Sequence, residues 1–267
     1  MKGAIIGDII GSQYEFDNIK TKNFELFTSY CDFTDDSVMT CAVAEALMRC
    51  KPDYSDLSEV AVRTMQEIGR HYPFCGFGGR FIHWIFSDNP QPNNSYGNGA
   101  AMRVSPVGFV AKDIEEAKVL ARKVTEISHN HPEGLKGAEA TAVAITMARL
   151  GYGKGKIKEV MERDYYVSEY TVDEYRKIIN GHGDETCQVS MPQALQCFYE
   201  GDSYEDVIRN CISIGGDSDT LAAIAGGISE AYDGIPKEIQ YKMYKYLDAR
   251  LMNIVDRFYE FKKSIYK

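Results

Sequence analysis

Two acidic clusters in this 267-residue chain have the residue types that bind metal ions. They read TDDS at residues 34–37 and GGDSDT at residues 215–220, and each stands directly before an apolar, alanine-rich stretch. The simpler interpretation is helix capping, because Asp, Ser and Thr are favoured at helix N-termini. A cap needs only one acceptor, however, whereas each cluster has two carboxylates and hydroxyl groups. Gly215 and Gly216 also free the backbone to turn sharply. These features favour a functional site.

Four carboxylates in one place would favour bound cations. Asp side chains with an ordinary pKa of about 4 are ionised at neutral pH. If the two clusters meet in space, either their pKa values rise or cations bind between them. The donors are all oxygen atoms, and this set suits Mg²⁺, Ca²⁺ or Mn²⁺ and not zinc. Two divalent ions about 3.5–4 Å apart are a common arrangement for activating water.

Other polar candidates are weaker. His129 and His131 form a His-x-His pair with no Cys or third His nearby, which favours a loop histidine or a substrate contact over zinc. Cys75 has no paired base in the sequence, so a nucleophilic role is not predicted. Trp84 stands between apolar residues and is predicted to belong to the core. The loops at 73–80 and 88–99 are long and rich in Gly, Asn and Pro, which indicates ligand binding.

The elements that must position these residues are predicted to be helices. Apolar residues recur at helical spacing over 57–68, 114–127 and 239–261, and the last stretch is predicted to be one long amphipathic helix after Pro236. Helix N-termini are predicted at Asp56, Asp113, Thr171 and Ser203. No segment has sustained alternation of apolar and polar residues. The predicted fold class is therefore all-α.

The N-terminal stretch is predicted to be a buried helix. Gly3, Gly7 and Gly11 recur every four residues, so they share one helix face on which another backbone could approach closely. This spacing differs from the GxGxxG order of dinucleotide-binding folds. Asp8 and Glu15 would lie towards the polar end of this helix.

Charge and cysteine content restrict the class of protein. The net charge of −9 argues against a large nucleic-acid or anionic-membrane footprint. Seven cysteines without a CxxC pair predict reduced thiols and a cytoplasmic protein. Asp8 interrupts the first apolar stretch, so neither a signal peptide nor a membrane span is predicted there. Without a linker or a repeat, we expect one domain over 1–267 and a monomer.

Five blocks of the sequence together resemble the ADP-ribosylglycohydrolase family. They are GDIIGSQYE (7–15), FTDDS (33–37), SYGNGAAMRVSPVG (95–108), SHNHPEGLKGAEA (128–140) and SIGGDSDTLAAIAGGISEAYDGIP (213–236), in the family's order. Any one block is weak evidence, but the set is highly specific. The resemblance implies a compact, orthogonal helical domain with two Mg²⁺ ions (Mn²⁺ being the alternative) in a central cleft. Ser37, where many members have Thr, keeps the hydroxyl group.

The resemblance also implies roles for individual residues. The metal ligands would be Thr34, Asp35, Asp36, Asp217, Asp219 and Thr220. Glu15 would be a metal ligand or the acid/base residue, and with Asp36 and Asp217 it forms the predicted catalytic set. The diphosphate and ribose would be held by Ser95, Tyr96, Gly97, Asn98 and Gly99, with His129 near the distal ribose. Taken alone, the Asn98-Gly99 pair would also fit a plain turn, and Glu15 a solvated charge.

The implied reaction is hydrolysis of the glycosidic bond that joins ADP-ribose to a modified protein or another acceptor. Such a bond breaks through an oxocarbenium-like state, so the enzyme must activate water and assist the leaving group. Glu15 would handle the proton, and the SYGNG loop would offer backbone N–H groups to the diphosphate. The loop and Glu15 resemble the type that acts on serine linkages and poly(ADP-ribose) more than the arginine type. A phosphoesterase-type binuclear hydrolase and a non-catalytic ADP-ribose-binding protein are the alternatives.

Overall fold

Helices form nearly all of the regular structure in the computed structural model, which describes residues 1–265. In this range there are fourteen α-helices, one 3₁₀ helix and no β-sheet, so the predicted all-α class is confirmed. The α-helices are α1 (Lys2–Ser12), α2 (Asp35–Arg49), α3 (Leu57–Gly69), α4 (Gly79–Phe86), α5 (Ser105–Val110), α6 (Ile114–Thr125), α7 (Pro132–Arg149), α8 (Lys154–Asp164), α9 (Val172–Ile178), α10 (Cys187–Glu200), α11 (Tyr204–Ile214), α12 (Ser218–Asp233), α13 (Lys237–Met243) and α14 (Ala249–Ile265). The 3₁₀ helix is Asn98–Ala100.

The predicted glycine stripe packs α1 directly against α12. A Cβ atom added at Gly7 would lie 2.1 Å from the carbonyl oxygen of Ala222, and one at Gly11 would lie 2.4 Å from the Cα atom of Asp219. Both neighbours are backbone atoms, so only glycine permits this approach. The N-terminal helix is thereby held against the start of α12, where the second acidic cluster lies.

Side-chain caps begin several helices as predicted. Asp113 and Ser203 each accept a hydrogen bond from the N–H three residues ahead, and Thr171 forms a reciprocal capping box with Glu174. Asp56 precedes α3 but makes no capping hydrogen bond; its carboxylate accepts the N–H of Lys51 instead.

The prediction of one long helix after Pro236 is wrong, because residues 244–248 separate α13 from α14. The Asp248 carboxylate accepts the N–H of Leu251 at 2.9 Å and so satisfies a free donor at the start of a new helix. The same carboxylate accepts the hydroxyl of Tyr72 at 2.7 Å. Apolar spacing continues across the break, which is why periodicity alone did not reveal it.

A continuous apolar core connects the helices. Trp84 belongs to it, stacked on Phe81 and donating its indole N–H to the carbonyl of Ile127 at 2.9 Å. All seven cysteines are free thiols. Among the helices of residues 1–265, none is long and apolar enough to cross a membrane.

Candidate active site

The first acidic cluster begins α2, and Thr34 provides the cap. Its Oγ1 atom accepts the N–H of Asp36 at 3.3 Å. The carboxylates of Asp35 and Asp36 are therefore not needed for capping. Asp35 is oriented through its backbone, whose N–H donates to the carbonyl of Cys75 at 2.8 Å. The cluster thus presents more acceptors than its helix uses.

The second cluster begins α12, and Asp217 makes no capping hydrogen bond. The preceding Gly215 and Gly216 have φ values of +74° and +78°, in the left-handed region that favours glycine. The Oδ2 atom of Asp217 accepts the side-chain amide of Asn98, which lies outside α12, at 2.5 Å. Capping therefore does not explain Asp217.

The two clusters, about 180 residues apart in sequence, meet in space. Thr220 donates its hydroxyl to Oδ2 of Asp36 at 3.3 Å. Carboxylate oxygens of Asp36, Asp219 and Asp8 lie within 4.8 Å of one another, and those of Glu15, Asp217 and Asp219 do so as well. Asp219 belongs to both groups, which makes it the link between them.

Asp8 is a site residue that the sequence prediction left out. It is fully buried in α1 and accepts hydrogen bonds from Thr34 and Ser37, each through its backbone N–H and its hydroxyl. The carboxylate thus fixes the turn that carries Asp35 and Asp36. A charged residue within an otherwise apolar, glycine-striped helix was the available signal, because burying such a group requires partners.

Burial raises the pKa of every carboxyl group at this junction: Asp8, Glu15, Asp35, Asp36, Asp217 and Asp219. The pKa of Asp8 rises to about 6 through burial, against the lowering effect of its hydrogen bonds. Burial and the charge of Asp217 raise the pKa of Glu15 to about 7. Burial and the charges of Asp8 and Asp217 raise that of Asp35 to about 8. Without counter-ions this arrangement is electrostatically unfavourable.

The donor set fits hard divalent cations. Oδ1 of Asp36 and Oδ1 of Asp219 are buried and have no hydrogen-bond partner among the described residues. Buried carboxylate oxygens without partners are costly unless a cation or water reaches them. Because the surrounding ligand atoms are all oxygens, Mg²⁺ or Mn²⁺ suits the site better than zinc.

A cleft of about 740 Å³ opens above the junction. Most of the predicted site residues line it: Glu15, Thr34, Asp35, Asp36, Ser95, Gly97, Asn98, Gly99, His129, Asp217, Asp219 and Thr220. Tyr96 does not line the cleft; its ring lies edge-on to that of His131 at 5.2 Å. The loops over 73–80 and 88–99 both contribute to its walls.

The SYGNG loop (residues 95–99, below called the glycine loop) is hydrogen-bonded to the residues around the start of α10. The N–H of Asn98 donates to the carbonyl of Glu185 at 2.8 Å, and the N–H of Cys187 donates to that of Tyr96 at 3.0 Å. The N–H of Gly97 donates to the hydroxyl of Ser95 at 3.2 Å. Two of the loop's N–H groups are thus already engaged, which leaves fewer donors for a ligand than the sequence predicted.

His131 caps a helix, and Cys75 is a poor nucleophile. Nδ1 of His131 accepts the N–H of Glu133 and begins α7. Burial and the charge of Asp35 raise the pKa of the Cys75 thiol strongly, which keeps it protonated and poorly nucleophilic.

The family model for ADP-ribosylglycohydrolase matches residues 1–265. The chain belongs to the ADP-ribosylglycohydrolase family. It is accordingly an enzyme, a hydrolase of ADP-ribose linkages, and the resemblance carried by the five sequence blocks is confirmed.

Similar ADP-ribosylglycohydrolases occur in animals and bacteria. ADP-ribosylhydrolase ARH3 of Bos taurus is 25% identical over 316 residues, covering 88% of this chain and 84% of that protein. ADP-ribosyl-[dinitrogen reductase] glycohydrolase of Rhodospirillum rubrum is 25% identical over 283 residues, covering 95% and 92%. A solved structure described as an ADP-ribosylglycohydrolase-related protein complex has a TM-score of 0.71 at 20% identity, covering 97% of this chain and 95% of its own. The last comparison supports the fold.

His182 is a second residue of this ADP-ribosylglycohydrolase that sequence reasoning missed. Nε2 of His182 lies 2.8 Å from the Glu185 carboxylate, and Nδ1 lies 3.2 Å from the carbonyl oxygen of Glu15. The ring stacks on Phe16 at 5.0 Å. His182 thus connects the segment 179–186 to Glu15 and Phe16, which follow α1. The segment 179–186 has no helical periodicity, so the sequence did not indicate a role for His182.

Proposed function

We propose that this ADP-ribosylglycohydrolase uses two Mg²⁺ ions to hydrolyse the bond between ADP-ribose and a modified side chain. The observation that carries the proposal is the junction of the two acidic clusters, where two buried carboxylate oxygens have no partner among the described residues. The ions would be held by Thr34, Asp35, Asp36, Asp217, Asp219 and Thr220. When bound, they would supply positive charge that binds ribose hydroxyls and makes water more acidic.

The protein's own residues would orient the substrate and move the proton. Glu15 is half-buried and lies within 4.8 Å of Asp217 and Asp219, so it is close enough to the junction to accept the proton of the attacking water. Asn98 holds Asp217 through its side-chain amide and thereby couples the glycine loop to the second cluster. Ser95, Tyr96, Gly97, Gly99 and His129 would bind the diphosphate and ribose.

The acceptor we propose is serine, because the SYGNG loop and Glu15 resemble the serine-linkage type. The deciding experiment measures free ADP-ribose released from peptides ADP-ribosylated on serine and on arginine, with Mg²⁺ and with a chelator. We expect magnesium-dependent release, faster from the serine peptide. Release only from the arginine peptide would contradict the acceptor. Release that is equal in the chelator would contradict the use of metal.

A further inference from the structure

Arg103 is a buried cation beside the cleft, and it has no role in the proposed reaction. Its side chain is fully buried, and its Nε atom has no hydrogen-bond partner among residues 1–265. In this range it forms no salt bridge with a carboxylate, and its guanidinium lies 5.2 Å from the ring centroid of Phe81. Burial of a guanidinium that has no carboxylate partner is costly unless other groups stabilise it.

The contacts of Arg103 lead through Ser128 to His129. Nη2 of Arg103 donates to Oγ of Ser128 at 2.7 Å, and Oγ of Ser128 lies 2.9 Å from Nδ1 of His129. Nη2 also lies 3.4 Å from the same Nδ1 atom. All three side chains are buried.

These contacts favour one tautomer of His129. A guanidinium has only donors, so Ser128 accepts from Arg103 with its oxygen lone pair and has its own hydrogen free to donate. That hydrogen can be donated to Nδ1 of His129, and Nη2 of Arg103, which has only hydrogens to offer, lies 3.4 Å from the same atom. Both neighbours of Nδ1 are therefore able to donate to it, which favours an Nδ1 atom without a proton. Burial and the positive charge of Arg103 lower the pKa of His129 well below its usual value, so the ring is neutral. A neutral ring with a bare Nδ1 carries its proton on Nε2.

The Nε2 side of the ring faces the cleft. A Cβ atom added at Gly99 would lie 3.5 Å from Nε2, and one added at Gly97 would lie 4.0 Å from it. His129 lines the cleft, and within residues 1–265 no hydrogen-bond partner occupies Nε2. The N–H group is thus directed at the space beside the glycine loop, where two backbone donors are already engaged.

We propose that Arg103 is a positioning residue that, through Ser128, fixes His129 as a neutral donor of an Nε2–H hydrogen bond to an oxygen of bound ADP-ribose. The inference rests on the proposed function for its ligand, but the tautomer is a property of the free protein. In the other tautomer, Nε2 would present a lone pair, which can accept from a ribose hydroxyl but repels a phosphate oxygen, so the hydrogen bond donated to an oxygen of the diphosphate would be lost.

The first readout is the tautomer itself, measured without ligand. Long-range ¹H–¹⁵N spectra of the five histidines would assign the protonated nitrogen of His129. We expect Nε2–H in the wild-type protein and a mixture of tautomers in Ser128→Ala and Arg103→Met. Ser128→Ala is the primary variant, because it removes the relay while leaving the buried guanidinium in place. Thr125→Val is the matched control: it removes a buried hydroxyl without a partner from the same segment and should leave the tautomer unchanged.

The second readout is the affinity for ADP-ribose, measured by calorimetry. Loss of a hydrogen bond to a phosphate oxygen predicts about tenfold to hundredfold weaker binding in His129→Leu. In Ser128→Ala the affinity should fall in proportion to the fraction of His129 that keeps its proton on Nε2, about twofold for an equal mixture of tautomers. His129→Gln, whose amide retains a donor near the position of Nε2, should recover most of the affinity.

The two readouts separate the failure of this inference from that of the proposed function. An Nδ1–H tautomer in the wild-type protein, or an unchanged tautomer and affinity in Ser128→Ala, would overturn the inference alone. A wild-type protein with the expected tautomer that binds no ADP-ribose would overturn the proposed function together with the ligand assigned to Nε2.

Discussion

At the scale of residues, the site is defined by carboxylates that do more than cap helices. Thr34 alone caps α2, and Asp217 caps nothing, so the acidic side chains beside them are free to bind a cation. Asp219 is the residue shared by both carboxylate groups. Single substitutions can therefore distinguish residues that bind metal, residues that transfer a proton and residues that do neither.

Asp219→Asn is expected to lower turnover more than about 100-fold, because it removes a charge common to both proposed ion sites. The fold should persist, and in chelator the variant should melt above the wild type, since a buried carboxylate is replaced by a neutral amide. Turnover assays and melting curves with and without Mg²⁺ would check this. Asp233→Asn, an exposed change at the other end of the same helix, is the control. An active Asp219→Asn variant would refute the proposed metal site.

Glu15→Gln separates the two roles that the sequence left open. If Glu15 carries the proton, kcat should fall about 10²–10⁴-fold while KM and the rise in melting temperature with Mg²⁺ are retained. If Glu15 is chiefly a ligand, the response to Mg²⁺ should be lost as well, and that outcome would contradict the proton role. Asp17→Asn, two residues away and exposed, should leave both measurements unchanged.

At the scale of elements, the packing of α1 against α12 brings the acidic residues together. Asp8 lies on α1 directly after Gly7, and Asp219 lies opposite Gly11. The glycine stripe thus brings two helix backbones close enough for Asp8 to hold the start of α2 while Asp219 reaches the same junction.

Gly7→Ala should lower the free energy of unfolding by about 3 kcal/mol, because the added Cβ atom would overlap backbone atoms that cannot rotate away. Urea or thermal unfolding would measure the change. Gly155→Ala in α8, where an added Cβ meets nothing within 4 Å, is the matched control. It should raise the stability by about 0.5–1 kcal/mol, because alanine favours the helix. Equal effects of the two substitutions would argue against a tight α1–α12 contact.

At the scale of the whole molecule, folding concentrates negative charge in one place. Six carboxyl groups with raised pKa values surround the junction, so the stability of the protein should depend on metal and on pH. Both dependences can be measured without knowing the substrate.

Removal of divalent metal should lower the melting temperature. At a metal concentration about 100 times the Kd, binding contributes about 2.7 kcal/mol to the folded state. For a chain of this size that corresponds to roughly 5–10 °C. Melting curves in Mg²⁺ and in chelator at one pH would test this, and identical curves would count against a site of several carboxylates.

The difference in melting temperature between Mg²⁺ and chelator should shrink as the pH falls. A carboxyl group whose pKa is raised in the folded protein stabilises the fold most when it is protonated, as it can be in chelator but not when it binds Mg²⁺. Its contribution to the free energy of unfolding is therefore complete below the pKa of the unfolded chain, about 4. The contribution is lost as the pH rises through the pKa in the folded protein. With pKa values of about 6 for Asp8, 7 for Glu15 and 8 for Asp35, the stability in chelator should rise as the pH falls from about 8 to about 4.

Comparison of the two conditions also removes the effect of other titrating groups. The buried amino group of Met1, whose pKa burial lowers to about 5, changes stability in the opposite direction but does so equally with and without metal. A difference between Mg²⁺ and chelator that is constant from about pH 8 to about pH 5 would contradict a carboxylate metal site.

The sequence by itself determined the helical class, the family and twelve of the residues that line the cleft. Helical spacing of apolar residues and caps such as Asp113 and Thr171 depend on neighbours within four positions, which a sequence displays directly. The acidic clusters were recognisable because each has more carboxylates than a cap requires.

Only the tertiary structure decided which groups meet. Asp8 became a site residue because α1 packs on α12, and Asn98 reached Asp217 across 119 positions in the sequence. At the break at 244–248, the hydrogen bond between Asp248 and Leu251 is local, but the contact of Asp248 with Tyr72 joins residues 176 positions apart. Such contacts depend on how helices are oriented against one another. Local periodicity carries no information about that orientation, because it records only which face of each helix is apolar.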